Sequence, residues 1–221
     1  MRLIDLSHVI EEGMTTFKGF PGPHLCDYWT REASAAHYDD GSSFHIGRID
    51  MIANTGTYVD SPFHRYADGA DLSELPLESL ADLDALVVRK PFAAGLATDA
   101  ADFEGLDVRA KAVLVHTGWD CHWRTEPYFD NHPFLTAAAA DWLVEHGAAF
   151  VGIDSHNIDD TSTRSRPVHS TLLAANIPIG EHLTNLGAVP DSGFRFSAVP
   201  PKVKGMGTFP VRAFARLADR R

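Results

Sequence analysis

Residues 54–64 read Asn-Thr-Gly-Thr-Tyr-Val-Asp-Ser-Pro-Phe-His and form the densest polar cluster in the chain. Asp60 and His64 stand four apart, with Tyr58 two residues before the acid. In extended backbone alternate residues share a side, so Asn54, Gly56, Tyr58 and Asp60 would line one wall. Pro62 breaks any helix here, and Gly56 lets other backbone come close. A carboxylate beside an imidazole can hold a metal ion or move a proton. The same residues are also ordinary turn vocabulary, and Asp60 could simply accept nearby backbone N–H groups. Spacing alone leaves both readings open.

The elements that would carry this segment are clearest in the middle of the chain. Ala85–Val88 and Ala112–His116 are short apolar runs that read as buried strands, the second closed by Thr117-Gly118. Thr136 caps an expected helix over Ala137–His146, with Gly147 as its stop, and the apolar run 148–153 that follows reads as a strand ending at Asp154. A helix feeding an apolar strand is α/β grammar. Pro167 opens a second expected helix over Val168–Ala175, stopped by Asn176. There His169 shares a face with Leu172 and Leu173, toward the core. Leu3–Val9 reads as a further strand, and Arg48–Ala53 alternates only weakly. The expectation is α/β: a single domain over residues 1–221, with mixed β-sheets in a layered or barrel-like core and outer helices.

With 221 residues and 44% hydrophobic side chains, one core can form without disulfide staples. Cys26 and Cys121 lie far apart with no CxxC pattern, which points to reduced thiols. The opening MRLIDLSHVIEEG lacks an apolar h-region, and no run approaches the ~18 apolar residues of a membrane span, so a cytoplasmic protein without a membrane partner is expected. The net charge of −11 argues against a nucleic-acid partner. Neither a Gly-rich phosphate loop nor a G-x-S-x-G elbow occurs.

The 54–64 segment resembles the central motif of the cyclase-like metal-dependent hydrolases, whose best-known members are bacterial kynurenine formamidases, with isatin hydrolases as relatives. Their pattern is H-x-G-T/A-H-x-D-x-P-x-H; Gly56, Thr57, Asp60, Pro62 and His64 match it. Further matches follow in family order: Asp5-Leu6-Ser7, Phe20-Pro21-Gly22, Asp68-Gly69, Leu75-Pro76-Leu77, Thr117-Gly118-Trp119, His132-Pro133 and Gly152-Ile153-Asp154. Val168–Leu173 and Glu181–Leu186 resemble the second metal-ligand region, and Pro200–Val211 the usual tail.

The resemblance implies a two-metal centre in relatives, of which this chain keeps one half. Asp60, His169 and Glu181 correspond to the ligands of one ion, and His64 to the proton donor and acceptor. Asn54 and Tyr58 stand where the other ion has imidazoles. An amide oxygen is a poor zinc ligand, and a phenol near pKa ~10 ionises at a cost. The retained set is one imidazole and two carboxylates, suited to a single zinc or manganese ion. The implied function is hydrolysis of a small cyclic or acyl amide or a lactone. The ion would activate water, His64 would shuttle the proton, and Tyr58 would bond the developing oxyanion. Two alternatives remain open: a metal-free pseudoenzyme that binds a small molecule, and a metal-independent lyase or cyclase using Tyr58 and His64. A homodimer or homotetramer is implied as well.

Phe20 sits where formamidases present an aromatic to substrate, and Asn54 is a second candidate for substrate binding. His156 and His182 neighbour the site segments and could replace a lost ligand. Asp154 reads as a functional group at a strand end or as a turn or helix cap. Trp119, Trp123 and Trp142 read as packing, Asp159-Asp160 as a solvated turn, and Cys121 lacks an identifiable base beyond its neighbours His116 and His122.

Overall fold

The computed structural model describes residues 1–218. In chain order the elements are β1 (Arg2–Asp5), β2 (His24–Trp29), α1 (Arg31–Ala35), β3 (Ile46–Asp50), β4 (Tyr58–Asp60), β5 (Leu83–Arg89), β6 (Ala97–Thr98) and β7 (Ala112–His116). They continue as β8 (Phe134–Leu135), α2 (Ala137–Glu145), β9 (Phe150–Ile153), α3 (Pro167–Ala174), β10 (Ile179–Glu181), β11 (Ser192–Ser197), β12 (Thr208–Pro210) and β13 (Phe214–Leu217). Nine strands form one mixed sheet in the order β1-β13-β11-β5-β7-β9-β10-β4-β12. The sheet curls into a half-barrel, with few helices.

The parallel centre, β5-β7-β9-β10, explains the unbroken apolar runs. A strand buried on both faces needs apolar side chains on both. Along β7, Ala112 and Leu114 join a core with Val59, Phe150 and Phe196. Val113 and Val115 face the opposite core, built with Leu143 of α2 and Leu172 of α3. Gly180 on β10 pairs with Gly152 on β9, and a Cβ there would stand 2.8 Å from the Phe150 ring. The glycine leaves room for the Phe150 ring.

The Thr136 hydroxyl accepts the Ala139 N–H at 3.1 Å and caps α2, while Gly147 leaves the helix with φ +75°. Asn176 follows α3 in the left-handed region. The first strand is shorter than expected and stops at Asp5; Leu6 still hydrogen-bonds backbone, donating to Ala213 and accepting from Thr184, while Ser7 Oγ bonds the Val211 and Ala213 carbonyls. Residues 46–50 pair only with β2, in a two-stranded ribbon outside the main sheet.

Candidate active site

Strand β4 lies between β10 and β12, and its register sets the site. Tyr58 pairs with Glu181 on one side, and Asp60 pairs with Thr208 on the other. Directly paired residues in a sheet share a face. The Tyr58 hydroxyl donates to Glu181 Oε2 at 2.5 Å, and the Thr208 hydroxyl donates to Asp60 Oδ1. Both carboxylates are buried.

After β4 the chain turns at Pro62 through one 3-10 turn, Pro62–His64. The Ser61 N–H donates to the Gly207 carbonyl, drawing this turn against the approach to β12. A Cβ at Gly207 would lie 2.5 Å from the His64 backbone nitrogen, so only glycine permits that approach. His64 Nδ1 then sits 2.9 Å from Thr208 Oγ1. A hydroxyl has one proton, and the Asp60 carboxylate oxygen can only accept it. Thr208 therefore accepts from His64 Nδ1–H, which leaves the lone pair on Nε2.

His169 enters from α3. Its Nε2 lies 3.6 Å from Asp60 Oδ2 and 3.7 Å from Glu181 Oε1. Its Nδ1 bonds Asp159 Oδ2 at 2.6 Å. Asp159 also accepts the N–H groups of Val168 at 2.8 Å and His169 at 3.0 Å. The expectation of a solvated turn at Asp159-Asp160 is therefore corrected: Asp159 is fully buried, caps α3 and fixes the His169 ring. Pro167 at the first position of α3 hides this role, because the capping acid stands eight residues upstream. Asp160 is the turn residue of the pair, accepting the Ser162 N–H at 2.8 Å.

Three buried carboxylates, Asp60, Asp159 and Glu181, thus surround one imidazole. Burial raises the pKa of Glu181 and the charge of Asp60 adds to it, against the pull of His169. Burial alone would lower the pKa of His169; Glu181, Asp159 and Asp60 together overcome it and raise it. Tyr58 is raised well above an ordinary phenol by burial, then by Glu181 and Asp60, with the neighbouring Asn54 amide pulling the other way. Its proton therefore stays on the phenol, held by Glu181.

The donor set fits a cation. Asp60 Oδ2 is buried without a hydrogen-bond partner and faces an imidazole nitrogen that it does not reach. Asp60, His64 and His169 offer ligand atoms all within 4.8 Å of one another. The Asp159–His169 bond is the outer hydrogen bond that metal-bound imidazoles usually carry.

Phe20, Asn54, Tyr58, His64, His169 and Glu181, all marked out by sequence, line one cavity of about 250 Å³. Asp60 lies beneath it. Phe20 is 57% exposed at the mouth. Phe17, Arg65, Asn157 and Arg166 complete the lining and were not singled out by sequence. Phe17 stands three residues before Phe20 in the same loop, the one signal that could have found it. His156 and His182 lie outside the cluster. His182 Nε2 bonds the His156 carbonyl at 2.8 Å, and both rings pack among Phe17, Tyr128 and each other. Asp154 accepts the N–H and hydroxyl of Thr117 and the Gly118 N–H, stapling the loop after β7 to the end of β9; burial, opposed by these bonds, raises its pKa to about 7.

Residues 4–160 match the model of the family described as "Putative cyclase". The chain belongs to the cyclase family. It is 27% identical over 202 residues to the kynurenine formamidase of Erythrobacter litoralis (strain HTCC2594), covering 91% of this chain and 88% of that one. To the kynurenine formamidase of Geobacillus thermodenitrificans (strain NG80-2) it is 28% identical over 216 residues, covering 96% of each. Among solved structures it resembles a potential metal-dependent hydrolase with cyclase activity, with a TM-score of 0.78, 25% identity and 99% of each chain covered. An isatin hydrolase bound to the product analogue thioisatinate shares the cyclase-family fold, with a TM-score of 0.83, 20% identity and 98% and 92% coverage. No helix among the described residues is long and apolar enough to cross a membrane.

Proposed function

We propose that this cyclase-family chain hydrolyses a small acyl or cyclic amide, or a lactone, with a single divalent cation held by Asp60, His169 and Glu181 and with His64 as proton shuttle. This reading rests on the buried Oδ2 of Asp60, which has no hydrogen-bond partner and faces His169 Nε2 at 3.6 Å. The names of the relatives, kynurenine formamidase and isatin hydrolase, support amide chemistry. A divalent cation there supplies charge that polarises a carbonyl and acidifies water.

The chain's own residues supply the rest. Asp159 holds His169 with Nε2 turned toward Asp60 and Glu181. Thr208 holds His64 with its Nε2 lone pair free, at a side chain that is 35% exposed to the cavity and solvent. His64 Nε2 takes the proton of the attacking water and returns it to the leaving nitrogen or oxygen. Asn54 and Phe20 contact the substrate. For Tyr58 to bond an oxyanion it must release Glu181, so its resting role is to hold that carboxylate. The exposed apolar side chains of the β2–β3 ribbon, Tyr28 and Ile49 among them, support a homo-oligomer.

The Tyr58–Glu181 bond also favours a second reading. With Glu181 held by Tyr58 and by the Ile158 N–H, a protonated His169 could balance the carboxylates without an ion. The protein would then bind a small molecule without turnover. Assaying an aryl formamide and a small lactone with wild type and His64→Asn separates the two. Hydrolysis that falls by about 10²–10⁴-fold in the variant supports the enzyme. No turnover of either compound by protein supplied with zinc or manganese supports the binding protein.

A further inference from the structure

The loop between β9 and α3 carries a polar side chain that the proposed reaction leaves unused. Asn157 lines the cavity with Tyr58, His64 and Glu181, and is 8% exposed. Its backbone is fixed on both sides. The His156 carbonyl accepts from His182 Nε2 at 2.8 Å. The Ile158 N–H donates to Glu181 Oε1 at 2.6 Å, and the Ile158 carbonyl accepts from the Leu135 N–H at 2.8 Å.

The amide of Asn157 is oriented as well. The Asp159 N–H donates to Asn157 Oδ1 at 3.0 Å. A backbone N–H can only donate, so the amide oxygen faces it and the NH2 group points away from it. Among the described residues Nδ2 meets no acceptor, and it is not sealed from solvent, so it opens on the cavity. The other neutral donors there are spent. Tyr58 gives its proton to Glu181, and the Asn54 amide acts on the Tyr58 oxygen. Of the two arginines lining the cavity, Arg65 is exposed and Arg166 spends Nη1 on the carbonyls of Asp160, Thr163 and Ser165. A donor already held in place by backbone needs no reorganisation when charge grows on an oxygen beside it.

Resting on the hydrolase reading, we propose that Asn157 is a catalytic residue whose NH2 group bonds the carbonyl oxygen of the substrate and stabilises the charge that forms there. The oxygen of water bonds to the carbonyl carbon, its proton passes to His64 Nε2, and the C=O electron pair moves onto the oxygen held by Asn157. As that pair returns, the bond to the leaving nitrogen or oxygen breaks, and the leaving atom takes the proton back from His64. Asn157 keeps both of its protons throughout; substrate and water become an acid and an amine or alcohol. One loop positions all the parts: Ile158 holds Glu181, Asp159 holds His169, and Asn157 stands next to both in sequence.

Calorimetric titration of metal-stripped protein with formanilide and with thioformanilide tests the contact without turnover, since sulfur is the weaker acceptor. Wild type is expected to bind formanilide about three- to tenfold more tightly, the net worth of one hydrogen bond. Asn157→Asp keeps an oxygen for the Asp159 N–H but has no donor, and is expected to lose that preference. Asn157→Ala, which adds no charge, is expected to lose it too. Equal or undetectable binding of the two probes by wild type overturns the contact, and so does a preference that either folded variant keeps. With zinc or manganese supplied, kcat for formanilide is expected to fall about 10²–10³-fold in Asn157→Ala with little change in KM. A kcat within about threefold of wild type overturns the catalytic role. A wild type that shows the binding preference but cleaves neither formanilide nor a small lactone leaves Asn157 a binding contact and overturns the hydrolase reading.

Discussion

Tyr58 donates its hydroxyl proton to Glu181, the residue directly opposite it on β10, at 2.5 Å. The bond follows from register, since the two side chains must share a face. It turns the phenol of the motif toward a carboxylate. Tyr58→Phe leaves a fully buried carboxylate oxygen without its donor. Urea unfolding of metal-free protein is expected to show a loss of about 1–3 kcal/mol. A variant as stable as wild type would mean that the bond contributes nothing.

Asp159 acts through His169. Asp159→Asn keeps the shape but loses the charge that holds Nδ1–H and the first N–H groups of α3. Metal titration is expected to show affinity weakened about 10–100-fold, the usual effect of removing such an outer partner. Unchanged affinity would show that the ring is fixed by packing alone.

Thr208 joins Asp60 to His64. Thr208→Val is expected to lower kcat about tenfold or more with little change in KM, because the His64 tautomer is no longer set. Thr208→Ser, which keeps the hydroxyl, is expected to recover most of the rate. If Val and Ser variants behave alike, the hydroxyl does not position His64.

The buried histidine nest behind the cavity predicts acid sensitivity. Burial, with a further push from His132, lowers the pKa of His156 from 6.5 to about 3. The folded state therefore keeps this ring neutral where the unfolded chain protonates it. Its stabilising contribution is full above pH 6.5 and shrinks as pH falls toward 3, by up to about 1.4 kcal/mol per pH unit. His156→Leu is expected to flatten the fall in melting temperature between pH 6.5 and 4. An equally steep fall in the variant would assign the loss to other groups.

Much of this arrangement is legible in the residues themselves. The apolar runs at 85–88, 112–116 and 150–153 are the parallel centre of the sheet because burial on both faces leaves no polar position to alternate. Thr136 starts α2, and Gly147 and Asn176 follow the ends of α2 and α3, as their chemistry requires. The residues Asn54, Tyr58, Asp60, His64, His169 and Glu181 share one cavity region because the motif, α3 and β10 meet where β4 is inserted between β10 and β12. What sequence hides is contact made by distant chain. Thr208 lies 148 residues from Asp60, and no local pattern marks it. Asp159 looks like loop because its partners are backbone N–H groups and a ring ten residues on, in the first turn of α3. Arg65 and Arg166 look like surface charge until the fold turns both toward the same opening.

The proposed hydrolase needs Asp60 and His169 to share one divalent cation. The most direct measurement is metal titration of stripped wild type and of Asp60→Asn, which keeps volume while weakening the ligand, with zinc and with manganese. About one ion per folded chain in wild type, and binding lost or weakened by orders of magnitude in Asp60→Asn with the circular dichroism unchanged, is the expected result. No binding of either metal by wild type, or equal binding by the variant, would contradict it.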